Sequence, residues 1–298
     1  MFFVAIRSKH NQTMSKVLIK TINLPTHILD VRRDVHPLGF HVVSARRASG
    51  KTNWLVQVLG KLSSKMDLLV VCGGTQQSVD VLGKYTHASF CHTGWDEKRI
   101  SAIVDSQELR KAKGQFLPKI FLVLDDIAFD TQWRNSPTMR RLSFAGRHSN
   151  IGVLLTTQRL KSISPNLRSN MTTLTVFATA DREERECFYS HVTAMSKVKF
   201  NSLLELATKD FAALTILQDG PQGMAAIRRS QFPYRPNLSF YCISDTIQRA
   251  VEKQLKSEGE YKHERITALE KKMQMAENTD TKGRPVRVVE AYQLELLR

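Results

Sequence analysis

Short apolar runs alternate along this chain with longer amphipathic stretches. Phe40–Ser44 reads as a strand that runs into a Gly/Ser turn, and residues 51–64 beyond it have helical spacing. Residues 67–72 (DLLVVC) are almost continuously apolar and end in Gly73-Gly74-Thr75, as a buried parallel strand ends in a polar loop. Residues 95–113 place Ile100, Ile103, Val104 and Leu109 at helical intervals. Residues 120–124 are the most uniformly apolar segment and terminate in Asp125-Asp126. A helix over 138–148, a strand over 151–156 and another over 174–178 follow. Two helical stretches, 182–195 and 198–208, lead to a closing hairpin formed by 211–217 and 224–227. Strands alternating with helices in this way predict an α/β fold built on a largely parallel central sheet flanked by helices. Such sheets bind ligands at the carboxyl ends of their strands.

The texture divides the chain into three. Residues 1–35 mix short apolar stretches with charges and read as a leader, 36–244 as the α/β domain, and 245–298 as a C-terminal helix with a docking tail. The last part has a thin apolar stripe at Ile247, Val251, Leu255, Ile266, Leu269 and Met273, too irregular for a coiled coil. Residues 278–284 read as a polar linker and 286–297 as the docking segment.

Composition changes the picture mainly through charge. Of the net +16, residues 245–298 contribute 11 basic against 10 acidic side chains, so residues 1–244 carry 33 against 18, an excess of 15. A basic core rather than a basic tail points to a polyanionic partner. Four cysteines stand far apart, and Cys72 and Cys187 fall in core patterns, which fits reduced thiols in a cytosolic or nuclear compartment. His87, Cys91 and His92 lack a second pair at zinc-site spacing, so they do not predict a metal centre. Residues 2–6 are apolar but too short for a signal-peptide core, and no run reaches the length of a membrane span.

The chemistry concentrates in three places. Ala45-Arg46-Arg47-Ala48-Ser49-Gly50-Lys51-Thr52 follows a strand and opens a helix, and it matches the phosphate-binding pattern G-x-x-x-x-G-K-[ST] except at its first position. Gly50 lets the backbone approach phosphates, Lys51 supplies a charge to them, and the Thr52 hydroxyl is placed to ligate Mg²⁺. Ala45 stands where glycine is usual, which raises the question of a positive φ that alanine resists. Asp125, at the tip of an apolar strand, is expected to hold Mg²⁺, and Asp126 to orient or deprotonate the attacking water. Finally, Arg147 precedes a strand and Gln158 follows it. In ring ATPases a polar residue at that strand end senses the γ-phosphate, and an arginine from one subunit stabilises charge in the next.

Segments 45–52, 120–126 and 146–158, then Arg168-Ser169-Asn170 before a strand ending Val176-Phe177-Ala178, together span about residues 38–180. They resemble the FtsK–HerA superfamily of P-loop NTPases, and within it the genome-packaging ATPases of large DNA viruses of the poxvirus-like, virophage and Polinton types. The resemblance implies a RecA/FtsK-like fold, ATP and Mg²⁺ as ligands, and ATP-driven translocation of double-stranded DNA into a capsid by a homo-oligomeric ring. It carries over Lys51, Thr52, Asp125 and Asp126 as nucleotide, metal and water residues, Arg147 as a trans-acting finger and Gln158 as sensor. It further implies sequence-independent DNA contact, with Arg110, Lys111, Lys113, Lys119, Arg159 and Lys161 as candidates, and it admits capsid proteins as partners. The expected location is the host cytoplasm or nucleus at sites of virus assembly, with virion association left open, and not secretion or a membrane. The competing expectations are a HerA-like helicase or translocase of repair or replication, and a P-loop kinase or nucleotide switch.

Overall fold

The computed structural model describes residues 27–127, 132–220, 223–236 and 238–249. Eight strands form one sheet: β1 (Phe40–Ser44), β2 (Leu68–Gly73), β3 (Cys91–Thr93), β4 (Ile120–Asp125), β5 (Ile151–Thr157), β6 (Thr173–Val176), β7 (Ala213–Leu217) and β8 (Ile227–Ser230). Their order is β3-β2-β4-β5-β1-β6-β7-β8. The first six are parallel, and β7 and β8 close the far edge antiparallel.

Nine helices are described: α1 (Val31–Asp34), α2 (Lys51–Leu62), α3 (Gln76–Leu82), α4 (Glu97–Ala112), α5 (Gln132–Asn135), α6 (Pro137–Ala145), α7 (Pro165–Arg168), α8 (Arg182–Tyr189) and α9 (Lys197–Ala207). The inner strands are buried on both faces, which is why they read as unbroken apolar runs. Alternate residues serve opposite layers. Leu68, Val70 and Cys72 of β2 pack in one cluster with α4, α6, α8 and α9, while Leu69 and Val71 pack in the other with α1, α2 and α3. Helix starts are capped by side chains: Thr75 before α3, Asp96 before α4, Ser136 before α6, Asp181 before α8 and Ser196 before α9.

Several expectations shift in detail. The helix expected over 182–195 ends at Tyr189, and residues 190–194 form turns around Ala194, whose φ is +57°. The helix over 138–148 ends at Ala145 and tightens into a 3₁₀ turn, Gly146–Ser149. The short edge strand β3 and the helix α3 had no distinct apolar signature. Within the stretch read as a leader, residues 27–35 contact the core: Leu29, Val31 and Val35 are buried, and α1 lies on α2. The C-terminal helix begins at residue 245 and is described to 249; the linker and docking segment expected beyond it lie outside the described residues.

After β8 the chain forms a strap over α2. The Trp54 indole donates to Ser230 Oγ at 2.9 Å, and the Asn53 and Gln57 amides donate to the carbonyls of Phe232 and Pro233. Phe240 stacks on Tyr85 with ring centroids 4.1 Å apart and lies against Gly60, where an added Cβ would meet it at 3.0 Å. The strap then pairs with the start of β2, through Leu69 N–H to the Cys242 carbonyl and Ser244 N–H to the Asp67 carbonyl. That supplies the edge which β3 is too short to cover.

Candidate functional site: a phosphate loop and two carboxylates

The loop between β1 and α2 lies at the carboxyl edge of the sheet. Ser44 ends β1, and Gly50 caps α2 with φ +91°. Alanine at position 45 carries no conformational penalty: Ala45 is buried, its N–H donates to the Thr157 carbonyl at 2.9 Å, and it is absent from the positive-φ residues, which here are Ala48 (φ +57°) and Gly50. The departure from the consensus at position 45 therefore leaves the backbone unstrained, and the left-handed turn sits three residues later. Ser49 Oγ is buried in the loop with no hydrogen-bond partner among the described residues, an oxygen positioned for a ligand rather than for the fold. Thr52, on the first turn of α2, is exposed.

Asp125 closes β4, two strands away in the sheet order, and Asp126 follows with φ +56°. A short carboxylate tolerates that left-handed backbone better than most side chains do. The two acids converge on Lys51, whose Nζ lies 3.0 Å from Asp125 Oδ1 and 3.4 Å from Asp126 Oδ2. Gln158, just past the end of β5, donates through Nε2 to Asp126 Oδ2 at 3.1 Å. Lys51, Asp125, Asp126 and Gln158, separated in the sequence, are thus one hydrogen-bonded cluster.

Two members of the cluster were not foreseen. Thr156 Oγ1 donates to Asp125 Oδ1 at 2.6 Å, accepts from the Asp126 N–H at 3.0 Å and lies 3.2 Å from Lys51 Nζ. Ser78, on α3, donates to the other oxygen of Asp125. β2 and β5 flank β4, so their carboxyl ends deliver Ser78 and Thr156 to the two sides of the acid. The loop after β2 comes so near that a Cβ on Gly74 would stand 2.1 Å from the Asp126 carbonyl oxygen. Glycine is the one residue that fits there.

Beside the loop opens a cleft of about 1150 Å³, lined by Arg46, Arg47, Ser49, Gln158, Lys209 and Phe211 among others. At its rim Arg159 and Lys161 are tied to the start of α8, in ion pairs with Asp181 (3.1 Å) and Glu183 (3.0 Å). The hydrogen bond from Arg159 holds the Asp181 carboxyl below its ordinary range, with N–H groups of α8 adding to the effect.

Arg147 is not in this cluster. It lies in the 3₁₀ turn before β5, so the seven residues of the strand, roughly 20 Å, separate it from Gln158. Its side chain is exposed and unpartnered among the described residues. Arg168 also precedes its strand and is engaged instead with the Cys187 thiol at 2.8 Å. The basic candidates divide the same way. Lys111 donates to the His148 carbonyl at the Arg147 end, where exposed Arg110, Lys113 and Lys119 also lie, whereas Arg159 lines the cleft and Lys161 follows it beyond the carboxyl end of β5.

The family described as Poxvirus A32 protein matches residues 39–219, more than half of the chain and all of the cluster just described. The chain belongs to the poxvirus A32 protein family. With that membership it is an ATPase with a P-loop fold. Two curated relatives are similar over the same region. Uncharacterized protein 075L of Invertebrate iridescent virus 6 is 24% identical over 177 residues, 59% of this chain and 69% of that protein. Uncharacterized protein 088R of Invertebrate iridescent virus 3 is 21% identical over 178 residues, 58% of this chain and 67% of that one. Among solved structures, the genome packaging NTPase B204 from Sulfolobus turreted icosahedral virus 2, in complex with AMPPCP, is 17% identical with a TM-score of 0.48, covering 67% of this chain and 100% of its own. The cytoplasmic domain of the Thermomonospora curvata Type VII secretion ATPase EccC is 14% identical with a TM-score of 0.47, covering 68% and 26%. Among the described residues no helix is long and apolar enough to cross a membrane.

Proposed function

We propose that this A32-family ATPase is a motor that drives double-stranded DNA into a viral capsid, working as a ring in which each subunit's Arg147 completes the next subunit's site. The observation that carries the reading is the division of residues between the two ends of β5. Gln158 belongs to the subunit's own carboxylate cluster, while Arg147 stands exposed roughly 20 Å away and cannot reach it. An arginine finger so placed serves a neighbour or nothing.

Within one subunit the loop N–H groups, with Ser49 and Lys51, would hold the phosphates, and the oxygen donors Thr52 and Asp125 suit Mg²⁺. The metal, when bound, would neutralise phosphate charge. Asp126, oriented by Gln158, is the carboxylate assigned to the attacking water. Sequence-independent DNA contact falls to exposed Arg110, Lys113 and Lys119, since Arg159 and Lys161 are already in ion pairs. The ring would assemble in the host at sites of virion formation.

The test is complementation between inactive subunits. Asp126→Asn should retain ATP but lose most turnover, and Arg147→Ala should do the same while leaving its own cluster intact. Fingers elsewhere contribute on the order of 10³–10⁵ in rate. Mixed, the two variants form some interfaces that pair an intact Asp126 with an intact Arg147, so DNA-stimulated hydrolysis should reappear. Co-assembly without any recovery would remove Arg147 from the mechanism. ATP-dependent phosphorylation of a small acceptor, with no response to DNA, would replace the motor by a kinase.

A further inference from the structure

The geometry points to Phe211 as the platform on which the base of the nucleotide stacks, an inference that rests on the nucleotide-site reading above. Phe211 is a large aromatic side chain left 71% exposed, more than the other exposed phenylalanines, Phe116 (58%) and Phe144 (60%), whereas those of the sheet and of α8 and α9 are buried. Its backbone is also unusual. Asp210 and Phe211 both have left-handed conformations, φ +54° and +61°, in a turn closed by the Ala212 N–H on the Lys209 carbonyl at 3.1 Å. Asparagine or glycine would make such a turn without strain, and a bulky aromatic residue there is an outlier. Strain of this kind collects at ligand clamps.

The location supplies the ligand. Phe211 borders the same cleft as Arg46, Arg47 and Ser49 of the phosphate loop, and its Cβ and ring edge lie against Gly50, within 3.2–3.7 Å of where a glycine Cβ would project. The turn that carries it begins β7, and β7 pairs with β6, which pairs with β1 at the root of the loop. The opposite wall is the segment Ala178-Thr179-Ala180 beyond β6. A nucleotide with its phosphates in the loop can extend its sugar and base into this part of the cleft, between that wall and the phenyl face.

Stacking recognises a π-face rather than a pattern of donors, so it holds any purine with little discrimination. The two threonine hydroxyls on this wall are engaged with the backbone: Thr208 donates to the Leu204 carbonyl, and Thr179 Oγ1 accepts from the Asp181 N–H. A stacking platform beside a phosphate loop makes the ligand class a nucleoside triphosphate, with ATP and GTP bound within a few-fold of one another.

Binding measured with the full chain separates base from phosphate. Phe211→Ala should weaken ATP and GTP each by roughly tenfold, within the range for loss of one stacked base, while binding of inorganic tripolyphosphate stays as in the wild type. Phe211→Trp should keep nucleotide affinity, and its fluorescence should change on adding ATP but not tripolyphosphate; the native Trp54, Trp95 and Trp133 are buried and provide the background. Equal weakening of ATP and tripolyphosphate in Phe211→Ala would mean that the ring only props the loop through Gly50, and unchanged ATP affinity would mean that the base lies elsewhere. Either result overturns the platform and leaves the ATPase standing. Wild-type protein that bound neither probe would overturn both.

Discussion

Lys51, proposed above to hold phosphates, also anchors the carboxylate cluster, and replacing it should damage the protein before any nucleotide is added. Its ammonium stands 3.0 Å from Asp125, with side-chain exposures of only 13% and 7%. At an effective dielectric constant near 20, a unit-charge pair at that distance attracts by roughly 5 kcal/mol. Desolvation offsets most of this when the pair is considered as a whole, but removing one partner leaves the other charge buried, at a cost of about 3–5 kcal/mol. The hydroxyls of Ser78 and Thr156 remain on Asp125 and place Lys51→Ala at the lower end, about 3 kcal/mol. For a domain of this size that lowers the melting temperature by roughly 6–12 °C. Thermal unfolding without nucleotide measures it, and Lys51→Ala combined with Asp125→Asn supplies the control. If the ion pair is the cause, the double variant should melt above Lys51→Ala alone, because the orphaned charge is gone. A nucleotide-free Lys51→Ala melting within about 1 °C of the wild type would refute the argument. Any loss of ATP binding in that variant has to be measured well below its own unfolding range.

Two further outcomes follow from buried contacts. His41 is buried with Nε2 on the His36 carbonyl, so that nitrogen donates and Nδ1 accepts from Thr173; burial pushes its pKa down from 6.5 to about 4. A depressed value means that the stability it contributes is present above pH 6.5 and is lost as pH falls toward 4, on the order of 3 kcal/mol. Denaturant titrations at pH 7 and pH 5 should show a fall in the wild type that is absent in His41→Asn. An equal fall in both would clear His41. Gly74→Ala should either fail to accumulate or lose hydrolysis with weakened folding, since the added Cβ would sit 2.1 Å from the Asp126 carbonyl. Wild-type activity and melting in that variant would show that the loop moves aside freely.

The parts of the site that follow from local chemistry were legible in the sequence. A strand, a Gly-Lys-Thr turn and an amphipathic helix are contiguous, so their residues predict the strand–loop–helix unit that the structure forms. The same holds for Asp125 at the tip of its apolar strand. What local pattern does not carry is strand order. Ser78 and Thr156 meet Asp125 because β2 and β5 both adjoin β4, a fact of sheet topology that no spacing between residues 78, 125 and 156 announces. Phe211 read as the first residue of a strand, and its exposure comes from two left-handed residues that neither asparagine nor glycine signals. The leading arginine was visible as a type, but its distance from its own site emerged only from the direction in which β5 runs.

The strap over α2 bears on where such a protein can be cut. The family match spans residues 39–219, whereas Ser230, Phe232, Pro233 and Phe240 grip the helix that begins with Lys51. Trimmed at the end of the matched span, the chain would lose β8, bare the flank of α2 at Trp54 and Gly60, and leave the start of β2 an open edge that invites pairing with another chain. The matched span and the mechanically complete unit thus end at different residues, and a recombinant fragment should be chosen by the second.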